Sequence, residues 1–376
     1  MRVALVAPYD LGVPGGVQGQ VLGLARALAG TGDDVLVVAP GDPARWLGRP
    51  VDGVRLTGTG AVVSVPANGA RAPIAASPLA GRRTLAALAR FGPDVVHVHE
   101  PLVPGPAAAA LRRSVAPVVA TFHRAGAGAG YRLLGPVARP LVGRAAALVA
   151  VSEAARQTLC AVVGPLAERA EIVPNGVDLD RFDRARRRAR RGPGLRVVFV
   201  GRLERRKGAE VLLAAVPLLR AATEPDPGLA VVVVGDGPLR PRLEAGAPAR
   251  VTFRGRLDDE ALADEVAAAD VLVAPSLEGE SFGVVLLEAM AAGTAVVAAD
   301  LPGYRLAAGA AAHFVAPGDP AALARALGAL LADDDARAAL VARGLAQAAT
   351  SGFGALAEAY RGRYRRVGPA QVDGRS

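Results

Sequence analysis

Lysine is all but missing from this chain. Of the 44 basic residues, 43 are arginine and one, Lys207, is lysine. Cysteine is as scarce: a single thiol, Cys160, excludes an intramolecular disulfide and suits a reducing cytoplasm. Aromatic residues reach only 4%, too few for the stacking platforms that non-specific single-strand binders use. No stretch offers eighteen uninterrupted apolar residues, so no membrane-spanning helix is expected. The opening "MRVALVAPYDLG" is too short and too soon interrupted for a signal peptide, and reads as a first strand.

What is present points to a two-domain α/β protein. At 376 residues and 52% hydrophobic content, each half can bury its own core. The net charge of +9 favours anionic partners: nucleotides, nucleic acid or an acidic lipid surface. Short β-branched runs alternate with alanine-rich stretches, the pattern of parallel sheets covered by helices on both faces. Strands are predicted at 3–7, 34–39, 95–98, 118–121 and 148–151, then at 196–200, 230–234, 251–253, 271–274 and 295–298. Residues 1–171 and 195–352 form the two domains. Residues 172–194 break the rhythm and read as a linker, with the arginine run 184–191 as a solvated connector. A last helix, 353–366, is expected to pack back onto the first domain, with a tail to residue 376. Doubly wound halves facing one another would bind ligand at the carboxyl ends of their strands, in a central cleft.

Four loops at strand ends carry the unusual residues. In "PYDLGVPGGVQ", Gly15 and Gly16 precede a helix expected to run through Leu28, where free N–H groups can meet an anion. After "RVVFVG", Arg202 and Lys207 stand where a polyanion could meet them. The survival of one compact ammonium among guanidinium groups suggests a tight phosphate site. In "EGESFGVVLLEAMAAGTAVVA", Glu280 and Glu288 can accept from sugar hydroxyls while Ser281, Phe282 and Gly283 present backbone amides. "VVATFHR" puts His123 at a strand end, and Glu100 of "HVHEP" is suited to orient a loop. His97, His99 and His313 read as structural. His97 and His99 are expected on alternate faces of their strand, which speaks against a joint metal site.

Together these segments resemble the retaining glycosyltransferases of family 4, over almost the whole chain. The most specific element is Glu280 to Glu288 in "GESFGVVLLEAMAAG", joined by "GRLERRKG" and "VPNGVD". The likeness is strongest to the branch that mannosylates phosphatidylinositol. It implies the GT-B fold, a GDP-mannose donor and a phosphatidylinositol acceptor, with an α-mannoside as product. It also implies that Arg202, Lys207 and the Gly16 backbone hold the diphosphate and Glu288 the ribose. Glu280, the amides of Phe282 and Gly283, and His123 would hold the transferred sugar. Tyr9, Gln18 and Asn68 match positions lining the acceptor site. No tightly bound cofactor is implied, and a divalent metal such as Mg2+ is expected only to stimulate. No Asp-x-Asp ends a strand, and "DDD" at 333–335 reads as a helix cap.

The sequence departs from the family on the acceptor side. Ala67 stands where the family has a tyrosine, Pro73 aligns with its arginine, and the lipid-gripping basic helix is thinner. In "SPLAGRRTLAALARFGP", Arg82, Ala86 and Arg90 share a face beside Arg83, which fits an acidic bilayer or an ordinary amphipathic helix. The expected location is cytoplasmic, with peripheral attachment to the inner membrane face. Other readings are a family 4 enzyme with another donor or a soluble acceptor, a dinucleotide-dependent oxidoreductase, and a nucleic-acid binder. The oxidoreductase would need G-x-G-x-x-G after the first strand, which "GVPGGVQGQ" does not supply cleanly. The dispersed arginines and scarce aromatics argue against nucleic acid.

Overall fold

The computed structural model describes residues 1–46, 53–67, 70–126, 129–133, 135–189, 194–222 and 228–368. The chain divides into two compact units, Met1–Gly176 with Phe353–Ser376, and Val177–Gly352.

In the first unit, seven strands form one parallel sheet. They are β1 (Arg2–Val6), β2 (Asp34–Ala39), β3 (Val54–Gly58), β6 (Val95–His99), β7 (Val118–Phe122), β8 (Ala147–Ala150) and β9 (Ala170–Ile172). A separate antiparallel hairpin joins β4 (Val63–Ala67) to β5 (Ala70–Ile74). The sheet order is β3-β2-β1-β6-β7-β8-β9. Alternation along each strand feeds two cores. Ala4, Val6, Val96 and Val98 enter one, while Val3, Leu5, Val35 and Val37 enter the other. The second core also takes Leu356, Ala357, Tyr360 and Tyr364 from the C-terminal helix Phe353–Val367. Gly23 makes room for that helix, because a Cβ there would lie 2.1 Å from the Phe353 ring.

The second unit is a six-stranded parallel sheet of β10 (Arg196–Val200), β11 (Ala230–Val234), β12 (Val251–Gly255), β13 (Val271–Ala274), β14 (Ala295–Ala299) and β15 (His313–Val315). Its order, β12-β11-β10-β13-β14-β15, reverses between β10 and β13. The first sheet reverses in the same way between β1 and β6. Loops leaving strands on either side of such a reversal diverge and leave a crevice, so each unit has one preferred place for a ligand.

All ten expected strands are present, within a residue or two at their ends. The short or edge strands β3, β9 and β15 were not anticipated, nor was the hairpin. The boundary between the units, Gly176 to Val177, falls inside the stretch 172–194 expected as a linker, but most of that stretch belongs to the second unit. The stretch contains the end of β9 and a helix, Leu179–Arg188, capped by Asp178 accepting from the Arg181 amide at 3.0 Å. Phe182 and Ala185 are buried in the core of the second unit. The arginine run up to Arg188 is therefore not a free connector. Arg184 and Arg188 reach Glu260, and Arg188 also reaches Asp264, on the facing helix Asp259–Ala267. Arg190 and Arg191 lie outside the described residues. The helix at 16 extends to Gly30, two residues beyond expectation.

Asp333 does cap a helix, accepting from the Ala336 amide at 2.8 Å. Helix Pro78–Phe91 turns Thr84, Ala87, Leu88 and Phe91 inward, and Arg82, Arg83, Ala86 and Arg90 are exposed.

Candidate functional site

Two groups of polar side chains gather at the strand ends, one at each reversal of sheet order. In the second unit the loops after β10 and β13 meet directly. Lys207 follows β10 on a short turn, and Gly208 lets the chain pass close to the neighbouring loop. Gly208 has φ +69°, and a Cβ there would lie 1.9 Å from the Pro275 carbonyl. The Lys207 ammonium sits 2.6 Å from Glu280 Oε1. The same carboxylate takes Arg206 at 3.1 Å and the Ser276 hydroxyl at 3.2 Å. Ser276 is also hydrogen-bonded to the Tyr304 hydroxyl at 2.8 Å. Burial alone would push the Glu280 carboxyl up, but Lys207, Arg206 and Ser276 outweigh it and hold the pKa below the ordinary value.

Sequence reasoning missed Glu204, Arg206, Ser276 and Tyr304. Glu204 is 4% exposed, 2.7 Å from Arg206 Nε and 3.7 Å from Arg202 Nε. A buried acid thus stands behind two arginines, one of which, Arg202, has a half-exposed side chain. Nothing in "GRLERRKG" distinguishes this acid from a solvated one.

Gly283 begins the helix Val284–Ala291 at φ +95°, and a Cβ there would strike the Tyr304 ring at 2.4 Å. The Phe282 side chain is buried in the core, which leaves only its backbone for a ligand. Glu288 lies one turn into that helix, half-buried. Burial pushes its carboxyl up to about 7, against a downward pull from Arg181 and with a further push from Asp259.

In the first unit the loops after β1, β6 and β7 gather Tyr9, Glu100 and His123. Tyr9 is half-buried, and burial pushes its phenol up, with Glu100 adding to the effect and Arg124 opposing it. Gln18 is 7% exposed beside Gly15, where a Cβ would lie 2.4 Å from Gln18 Oε1. A Cβ at Gly16 would meet nothing within 4 Å, so that backbone is open to approach at a helix start with no side-chain cap. Asn68 lies outside the described residues.

Glu100 orients the loop after β7, as expected. Its Oε1 accepts from the His123 amide at 2.5 Å, and Glu100 itself adopts φ +46°. The expectation that His97 and His99 alternate faces is overturned. Residues two apart in a strand share a face, and these rings stack at 4.2 Å. His97 bonds the Tyr364 hydroxyl and the Thr121 hydroxyl, each at 2.7 Å. His99 Nδ1 is 2.9 Å from His123 Nε2. Burial lowers His97 to about 3 and His123 to about 4, and holds His99 well below its ordinary value. All three rings are neutral near pH 7. His313 is exposed. Among the described residues, no three His, Cys, Asp or Glu side chains gather as a metal site.

Residues 14–181 match the family model "Glycosyltransferase Family 4", and residues 194–333 match "Glycosyl transferases group 1". The phosphatidyl-myo-inositol mannosyltransferase of Mycolicibacterium smegmatis is 39% identical over 352 residues, 91% of this chain and 88% of that protein. The protein so named in Propionibacterium freudenreichii is 39% identical over 81% of this chain and 78% of its own length. Among solved structures, Anabaena HepE in complex with UDP and glucose superposes with TM-score 0.76 at 20% identity, covering 97% of this chain and all of that one.

Proposed function

Because the chain belongs to glycosyltransferase family 4 and is a hexosyltransferase of GT-B fold, we propose that it moves mannose from GDP-mannose to the inositol ring of phosphatidylinositol, with retention, giving an α-mannoside. The names of its relatives support the sugar and the acceptor. The single observation that carries the donor half is the Lys207–Glu280 pair at the β10/β13 reversal.

In this reading the bond between the anomeric carbon and the β-phosphate oxygen breaks, and its electron pair leaves with the diphosphate. An inositol hydroxyl oxygen bonds to the anomeric carbon on the same face, and its proton passes to the departing phosphate. Lys207 and Arg202 take up the charge on the diphosphate, and the open Gly16 backbone at its helix start is suited to offer N–H groups to an anion. Glu280, kept ionised by its cationic neighbours, accepts from sugar hydroxyls. The amides of Phe282 and Gly283 bind the same sugar, and Glu288 accepts from the ribose. Tyr9 and Gln18 line the acceptor side, and His123 helps position the transferred sugar. A stimulatory divalent metal such as Mg2+ would act by offsetting charge on the donor phosphates.

No helix among the described residues is long and apolar enough to cross a membrane. The exposed Arg82, Arg83 and Arg90 give the helix Pro78–Phe91 a face for the anionic lipid of the inner leaflet, worth about 1 kcal/mol per basic residue.

The test is a transfer assay with GDP-mannose, UDP-glucose and UDP-N-acetylglucosamine, with and without phosphatidylinositol vesicles. Mannosylated lipid should form only from GDP-mannose with the vesicles. Faster turnover of a UDP-sugar, or transfer that ignores the vesicles, would overturn the donor or the acceptor assignment respectively.

A further inference from the structure

We propose that His99 is a positioning residue for His123: it donates from Nδ1 to His123 Nε2, fixes the His123 proton on Nδ1, and leaves the Asn175 amide as the hydrogen-bond donor toward the substrate. The substrate half of this inference rests on the sugar-transfer reading above. The proton arrangement does not.

Two neutral imidazoles that share one hydrogen bond admit two arrangements, and the His99–His123 contact at 2.9 Å is such a bond. His99 Nε2 decides between them. It is buried, in a side chain that is 2% exposed, and has no hydrogen-bond partner among the described residues. A proton on Nε2 would orphan a buried N–H, a rare and costly state in folded proteins. A proton on Nδ1 leaves only a lone pair unmet. The ring has little freedom to seek another partner. It stacks at 4.2 Å on His97, whose two nitrogens are held by Tyr364 and Thr121. Thr121 is tied in turn to the Tyr360 hydroxyl at 3.0 Å. The C-terminal helix therefore braces the stack from behind through two tyrosines.

His123 Nε2 must then accept, so its proton sits on Nδ1. Asn175, in the "VPNGVD" loop of the same unit, favours the protonated form of the His123 ring, as an amide oxygen facing Nδ1 does. An Nδ1–H donor there needs the Asn175 oxygen as acceptor, which turns the amide N–H groups outward. Asn175 is 9% exposed, and its nitrogen is not among the buried polar atoms left without a partner. With the Glu100 carboxylate also fixing the His123 amide at 2.5 Å, the histidine ring is a spacer with no free donor of its own. Asn175 finishes the relay.

The chain has four histidines, so a protein labelled with 15N-histidine gives four ring systems, assigned by single substitutions. Long-range proton–nitrogen spectra of the wild type should show His123 protonated on Nδ1 and bare on Nε2. His99→Phe should turn His123 into a mixture of tautomers and lower kcat/KM for mannosyl transfer at least about tenfold. His99→Asn, whose amide can stand in for the Nδ1–H donor, should restore the Nδ1–H form and part of the rate. Asn175→Asp keeps the acceptor and removes the donor, so it should cut kcat/KM while leaving the His123 tautomer unchanged. A wild-type His123 protonated on Nε2 overturns the relay. So does a His99→Phe variant with the His123 tautomer unaltered. An Asn175→Asp variant of undiminished kcat/KM overturns the role of its amide. If no nucleotide sugar is turned over at all, the sugar-transfer reading falls, while the wild-type spectrum still decides the proton arrangement.

Discussion

The Lys207 ammonium and the Glu280 carboxylate, 2.6 Å apart, are delivered by different loops, one after β10 and one after β13. Arg206 already occupies a neighbouring approach to the same carboxylate at 3.1 Å. A compact point charge fits beside that guanidinium, where a second planar fork would compete for the same oxygen. This geometry gives a physical reason for a lysine at 207 in a chain whose other basic residues are all arginine.

Lys207→Ala should lose at least roughly a hundredfold in turnover, the effect of removing one preorganised donor of about 2.7–4 kcal/mol. Glu280 keeps Arg206 and Ser276, so the melting temperature should move little. A rate loss that follows a large drop in melting temperature would assign Lys207 to structure instead.

Donor binding should depend on pH through Glu288. Its carboxyl titrates near 7 in the free protein, and only the ionised form accepts from both ribose hydroxyls. Affinity should therefore weaken as pH falls below about 7, by up to about tenfold per unit. Stability should run the other way. A carboxyl raised above its unfolded value takes up a proton on folding, so its contribution is lost as pH rises from the ordinary carboxylate range through 7. Glu288→Gln should flatten both profiles, in calorimetric titration of donor and in urea unfolding.

The histidine stack makes the first unit acid-labile. His97, His99 and His123 are held neutral, while in the unfolded chain each takes up a proton near 6.5. Stability should begin to fall below pH 6.5 and continue through about 4 and 3, the values of His123 and His97. Three such groups give a slope of up to roughly 4 kcal/mol per pH unit where all are titrating in the unfolded state. Urea midpoints at pH 7.5 and 5.5 measure it. Equal midpoints would contradict neutral burial.

Glu204→Ala should destabilise the second unit by about 1–2 kcal/mol. That is below the 3–5 kcal/mol of a fully buried pair, because both arginine partners keep contact with water. The larger effect should be on KM for the donor, since Arg202 and Arg206 lose the acid that aims them. Steady-state kinetics beside an unfolding curve separates the two.

Much of the fold was legible because parallel strands buried on both faces leave continuous apolar runs such as "RVVFV" and "AVVVV". The strands β9 and β15, three residues each, leave no such run. At the site, the glycines before Gln18, after Lys207 and at Gly283 mark where the backbone must pass closely, and local sequence reports that. It does not report pairings made across strands. The bond from Lys207 to Glu280 and the ring contact of His99 with His123 arise only when the sheet brings loops together. The helix at 179–188 was hidden by its arginines, of which Arg184 and Arg188 find partners on another helix.

Titration of GDP-mannose into the wild type, Lys207→Ala and Glu280→Gln tests the central claim most directly. The account predicts measurable binding to the wild type and at least about tenfold weaker binding to each variant, with folding intact. Equal affinity in all three proteins would contradict it, because the donor would then be held somewhere other than the paired loops after β10 and β13.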